Sequence, residues 1–188
     1  MILGYHLIIT AYGFWLPNDP RGSWSDFVGA WELLRFGRAT KTESRQSLAS
    51  TTHNQLTRLA AKKELKYPNV HFTGIQARVI GRGFADYVQR NELTIWACSI
   101  LPEHAHLVIA RHRYKAEQIA NLLKGAATKA LIEENVHSFE NYPTNKGRLP
   151  KTWAQGQWKV FLDSVKDIRR AIRYVEDNPL KEVKSKQH

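Results

Sequence analysis

A chain of 188 residues, 43% of them apolar, is long enough to bury one core and too short for two well-packed ones to be the default. One domain over residues 1 to 188 is therefore expected, and the composition is that of a globular protein and not of a disordered one. With 28 lysines and arginines against 17 acidic residues the formal charge is +11, which favours a polyanionic partner. Nucleic acid fits better than a membrane, because no stretch approaches the roughly 18 apolar residues of a spanning helix. The single cysteine, Cys98, excludes an intramolecular disulfide and a thiolate-cluster zinc site. The opening "MILGYHLIITAYGFW" lacks a basic leader and a small-residue cleavage site, so a cytoplasmic location is expected.

"YHLIITAY", residues 5 to 12, has the length and β-branched content of a strand and is apolar on both faces, as a central strand would be. "FWLPNDPRGSW" then predicts turns over residues 17 to 23, with Phe14, Trp15 and Trp24 placed either to pack there or to stack on bases. Residues 25 to 70 alternate polar and Leu/Ala-rich stretches and read as an insertion with local helices and a mobile loop. Thr73 followed by Gln76 has the form of a capping box. Ile75, Val79, Ile80, Phe84, Tyr87 and Val88 then recur at helical spacing, and Gly81 and Gly83 on that helix suggest a close backbone approach.

"LTIWACSIL" and "HAHLVIAR" predict an antiparallel hairpin turning at Pro102 and Glu103. A helix follows from Ala116 to about Glu134, with Ile119, Leu122, Leu123, Ala126, Ala127, Ala130 and Leu131 inward and Lys124 and Lys129 elsewhere. Residues 135 to 157 read as loop, and "WKVFL" as a short strand. Ser164 with Asp167 opens a last helix carrying Val165, Ile168, Ala171, Ile172 and Val175 inward, with Pro179 expected to end it and a basic, frayed tail beyond. This order suits an α+β fold: an antiparallel β-sheet with helices packed on one side and one sheet face left open for a site.

Within the hairpin, side-chain alternation points His104 and His106 the same way, with Ala105, Leu107 and Ile109 on the opposite face. Such a pair is a candidate bidentate metal site, and equally a pair of packed, hydrogen-bonded histidines. The zinc helix motif H-E-x-x-H is absent, so a third ligand must come from distant chain. On the last helix Asp167, Arg170, Tyr174 and Asn178 fall along one flank beside the apolar stripe. Singly, Tyr174 reads as a core-edge aromatic and Asn178, before Pro179, as an ordinary helix stop.

Taken together, "ILPEHAHLVI", the lysine-bearing helix after it and "AIRYVEDNPLK" resemble the HUH single-strand DNA transposases. The likeness is greatest to the REP-associated tyrosine transposases and their insertion-sequence relatives. Tyr174, Asn178, Pro179 and Lys181 match that family's Tyr, Asn-Pro, Lys pattern, and "TAYGFWLPNDPRGSW" looks like a recurrent N-terminal segment in part of it. Ala105, between the histidines, is smaller than the usual bulky aliphatic. The resemblance covers about residues 1 to 24 and 70 to 181 and leaves 25 to 70 unassigned.

The resemblance implies an HUH-type fold with a ferredoxin-like or RRM-like core. It also implies a divalent ion, Mg²⁺ or Mn²⁺, held by His104, His106 and the side-chain oxygen of Asn178, with Tyr174 as nucleophile. The metal identity is carried by the family, since imidazoles alone would equally suit Zn²⁺. Attack would leave a 5′-phosphotyrosine and a free 3′-hydroxyl, and the reverse step with another strand end would join DNA without ATP. Single-stranded or hairpin DNA is the implied partner, and monomer and homodimer both stay open. Arg111, Arg113, Lys115, Lys124, Lys129, Arg170, Arg173 and Lys181 are the candidate phosphate contacts, each also readable as a solvated surface charge. Two other readings remain: a DNA-binding protein that has lost catalysis, and a metal-dependent phosphoesterase with no covalent step.

Overall fold

The computed structural model describes residues 1–42, 48 and 51–185, with side chains described as far as Asn178. Four strands, β1 (Gly4–Thr10), β2 (Ile95–Ile100), β3 (His104–Ala110) and β4 (Trp158–Leu162), form one antiparallel sheet in the order β2-β3-β1-β4. The strand read as central is central: β1 pairs with β3 on one side and β4 on the other. β2 and β3 make the expected hairpin, closed where Leu101 N–H donates to the His104 carbonyl at 2.8 Å.

Strand alternation sorts the side chains. Leu7, Ile9, Ala105, Leu107 and Ile109 are fully buried against α2 (Gly74–Arg90) and α3 (Ala116–Glu133). The capping box that starts α2 is present, with Gln76 N–H donating to Thr73 Oγ1 at 3.2 Å and Thr73 N–H to Gln76 Oε1 at 2.9 Å. Gly83 is the close approach between the two helices: a Cβ there would lie 2.9 Å from the Ala126 carbonyl oxygen. Gly81 has no such need, since its Cβ would meet only the Ile100 side chain at an ordinary 3.5 Å.

The expectation that helices cover one face only is corrected. α4 (Val165–Ser185) lies across β2 and β3 on the second face, where Ala171 and Val175 pack on Ala97, Val108 and Leu162. Val108 points to the histidine side of β3, and an apolar residue buried there needs a cover. α4 begins as expected, with Asp167 N–H donating to Ser164 Oγ at 3.1 Å, but it continues through Pro179 to Ser185. A proline removes one N–H from the helix ladder and can kink a helix without stopping it.

Four other positions differ from their helical pattern. Ile75, Leu122 and Val165 are exposed, Ile75 and Val165 because they sit in the first turns of their helices. Lys124, expected away from the core, is buried: its ammonium donates to the carbonyls of Ala154, at 3.0 Å, and Gly156. Between residues 25 and 70 lie a 3₁₀ helix (Trp31–Phe36) and α1 (Gln55–Lys63), capped by the Asn54 side chain. Leu33 and Ala61 from this segment form a small cluster with Leu16. The loop expected to be mobile falls largely on residues outside those described. Among the described residues no helix is long and apolar enough to cross a membrane.

Candidate active site

The site is built on the α4 face of the sheet, near the start of β3. In the β1–β3 register His6 pairs with Val108 and Ile8 with His106, so His6 and His106 are diagonal neighbours on one face, within reach of two imidazoles. His6 Nε2 lies 3.0 Å from His106 Nδ1, and His106 Nε2 lies 3.0 Å from His104 Nε2. The three rings thus form a chain with His106 in the middle. The ring of Tyr174, on α4, meets the rings of His6 and His106 edge-on, at centroid distances of 5.7 and 5.6 Å.

Burial sets the charge state. It depresses the imidazoles of His6 and His104 to about 4, and that of His106 to about 2, where the two neighbouring histidines add to the effect. All three rings are neutral near pH 7, as metal ligation requires. Burial also raises the Tyr174 phenol above its ordinary range, so the hydroxyl keeps its proton unless a neighbour accepts it.

Loop residues 13 to 24 clamp the other side of His104. Gly13, at φ +79°, turns the chain after β1, and a Cβ there would strike Asn69 at 2.7 Å. Phe14 then stacks on the His104 ring at 5.1 Å and 17°. The loop is held by its own buried ion pair, in which Arg21 Nε and Nη2 donate to the two Asp19 carboxylate oxygens at 2.9 Å, and by the Arg21 guanidinium lying 4.1 Å over the Trp15 ring. Phe14 and Trp24 therefore pack on sheet residues, Trp24 against Trp158 at 4.0 Å. Lys62, half-buried on α1, lies 5.7 Å from the centre of the Phe14 ring and 3.9 Å from Glu103, which adds a cation near the site that sequence reading missed.

The donor set fits a divalent ion on one side. His104 and His106 would hold it through their Nε2 atoms, which lie 3.0 Å apart on one face of the sheet. Among the described residues no group of three His, Cys, Asp or Glu side chains is arranged as a metal site. Asn178 lies one helical turn beyond Tyr174, with its side chain part-buried. Among the described residues His104 Nδ1 and Ser99 Oγ, the latter on the same sheet row as His106, are buried without hydrogen-bond partners.

The candidate cations divide. Arg170 and Arg173 are exposed on α4, the helix of Tyr174, and Arg170 lies 3.9 Å from Asp167. Arg111, Arg113 and Lys115 follow the far end of β3, and the strand alone separates Arg111 from His104 by roughly 23 Å. Lys124 is committed to backbone carbonyls, and Lys129, on α3, lies on the other side of the sheet and 3.5 Å from Glu133. The side chain of Lys181 falls outside those described. His6 was the residue sequence reading passed over. Its signal was present: Leu7 and Ile9 alternate to the core face, which leaves His6 on the face that His104 and His106 occupy.

No protein-family model matches the sequence, and no curated protein matches it significantly. Among solved structures the chain is similar to a REP-associated tyrosine transposase bound to a REP hairpin, with 14% identity and a TM-score of 0.49 over 96% of this chain and 68% of the other. It is also similar to a candidate transposase from Deinococcus radiodurans R1, with 13% identity and a TM-score of 0.40 over 94% of this chain and 91% of the other.

Proposed function

We propose that this protein is a metal-dependent single-stranded DNA endonuclease and strand transferase, with Tyr174 as nucleophile and His104 and His106 as metal ligands. The observation that supports it most is convergence. Tyr174, which with Asn178 completes the transposase-like motif, comes to the His pair from a helix about 70 residues downstream, and its ring meets both His106 and His6.

A bound Mg²⁺ or Mn²⁺ would polarise a non-bridging phosphate oxygen and offset the charge that develops during attack. His104 and His106 would hold it through Nε2, and the side-chain oxygen of Asn178 would supply a third donor. Tyr174, fixed by α4 against the imidazoles, would be oriented toward the same phosphate. As its phenolic proton leaves to a neighbouring base or water, the Tyr174 oxygen bonds to phosphorus and the bond from phosphorus to the 3′-oxygen breaks. That oxygen takes a proton and leaves as a free 3′-hydroxyl, with the 5′-phosphate on Tyr174. The same step in reverse, with the 3′-hydroxyl of another end, joins DNA. Arg170 and Arg173 would contact backbone phosphates beside the tyrosine, and the overall charge of +11 favours capture of the strand. Single-stranded DNA carrying hairpins is the expected substrate.

The test is a denaturing gel of the protein with end-labelled, hairpin-bearing single-stranded DNA and Mg²⁺ or Mn²⁺. A slow-migrating covalent adduct is expected, lost on adding EDTA and in Tyr174→Phe. Cleavage that survives Tyr174→Phe without an adduct would replace this reading with a phosphoesterase. Binding with neither adduct nor cleavage, across several hairpin pools, would replace it with a DNA-binding protein.

A further inference from the structure

We infer that His6 is a positioning residue that fixes the tautomer of His106, so that the Nε2 lone pair of His106 is presented beside Nε2 of His104. The inference rests on the metal-binding reading above and adds to it a residue that the His-x-His motif does not contain.

The argument is one of counting protons. His6 Nε2 and His106 Nδ1 are 3.0 Å apart, and a hydrogen bond between two neutral imidazoles holds a single proton. If His6 donates it, His106 must carry its own proton on Nε2, aimed at His104, where it blocks ligation. If His106 Nδ1–H donates to His6, then Nε2 of His106 is bare and free to bind a cation together with His104 Nε2, 3.0 Å away. Only the second pattern is compatible with a metal at the His pair. It requires His6 to accept at Nε2 and to carry its own proton on Nδ1.

Geometry separates this role from direct ligation. The Nε2 atom of His6 is engaged with the far edge of the His106 ring, on the opposite side from the gap between His104 and His106. His6 is buried, its backbone is fixed in the central strand, and its ring also meets Tyr174 edge-on at 5.7 Å. It therefore touches both a candidate ligand and the candidate nucleophile. His104 is held differently: Phe14 stacks on its face, and its Nδ1 has no hydrogen-bond partner among the described residues. Of the two candidate ligands, one is oriented by packing and the other by a hydrogen bond from its second nitrogen, the usual means of orienting a metal-bound histidine.

The experiment is Mn²⁺ titration of the full chain without DNA, followed by the electron paramagnetic resonance signal of free Mn²⁺, for wild type, His6→Gln and His6→Leu. Loss of an outer hydrogen-bond partner typically weakens metal binding about 10- to 100-fold. That loss is expected for His6→Leu, while His6→Gln, whose Oε1 can accept the same proton, should bind nearly as wild type. Thermal melts of both variants report folding. Where His6→Leu fails to fold, the proton position on the wild type decides: ¹⁵N-resolved NMR of the Mg²⁺-loaded protein should find His106 protonated at Nδ1. Wild-type binding with undiminished affinity in folded His6→Leu, or an Nε2–H tautomer of His106, overturns the inference and leaves the functional reading standing. A wild type that binds neither ion overturns the metal-dependent reading itself, and this role with it.

Discussion

On the side of the sheet that carries α2 and α3, the strands offer Leu7, Ile9, Ala105, Leu107 and Ile109, all fully buried in one large apolar cluster. On the side under α4 the same strands offer His6, His104 and His106, with Ala97, Val108 and Leu162 buried against the helix. Adjacent residues of β3 thus serve different ends. One face holds the fold together, and the other spends its positions on chemistry and keeps only enough apolar surface to seat α4.

The division can be broken most sharply by neighbouring substitutions in β3. Leu107→Ala should lower the unfolding free energy by about 2–5 kcal/mol through the cavity it leaves, with adduct formation per folded molecule unchanged. His104→Ala should do the reverse, losing adduct formation altogether while changing stability by only about 1 kcal/mol. Chemical denaturation and the covalent-adduct gel, run on the same two variants, measure both axes. If Leu107→Ala abolished the adduct in fully folded protein, the two faces would not be independent.

The second prediction uses pH, because only the α4 face buries histidines in a chain. The folded-state values of about 4 for His6 and His104 and about 2 for His106 lie below the ordinary 6.5. Between those values and 6.5 the unfolded chain binds more protons, so stability is full above about pH 6.5 and falls as pH drops toward 4. Each whole unit of depression corresponds to about 1.4 kcal/mol, so a loss of a few kcal/mol is expected across that window. Denaturation midpoints at pH 7, 5.5 and 4.5 would show it, and the slope should be shallower in His6→Leu. An unchanged slope would mean that the acid sensitivity comes from elsewhere.

The sequence made the two faces legible within a strand and obscured them between strands. Alternation alone assigned His104 and His106 to one face and Leu107 and Ile109 to the other, and local chemistry placed the caps at Thr73 and Ser164. His6 stayed hidden because its role depends on the β1–β3 register, which pairs it with Val108 and sets it diagonal to His106, and register is a tertiary property. The cover of the second face was missed for a related reason: Val108 and Ala97 are ordinary strand residues until α4 docks on them. Lys124 shows the limit of helical periodicity, since its partners are carbonyls of residues 154 and 156, 30 and 32 positions away. Asn178 was legible as a motif, one helical turn beyond Tyr174.

The smallest effect should separate cations by face. Arg173 is exposed on α4 one residue before Tyr174, whereas Lys129 sits on α3 across the sheet and is paired with Glu133. A phosphate contact on a single strand contributes roughly 0.7 to the slope of log affinity against log salt. Arg173→Ala should therefore reduce that slope by about 0.7 and weaken single-stranded DNA binding without sequence preference, while Lys129→Ala should leave both unchanged. Fluorescence anisotropy over a salt series, with Tyr174→Phe as background to prevent cleavage, reads the difference directly. Equal losses from the two variants would mean that DNA wraps both faces, and the separation of a structural face from a working one would then hold for the protein core but not for its surface.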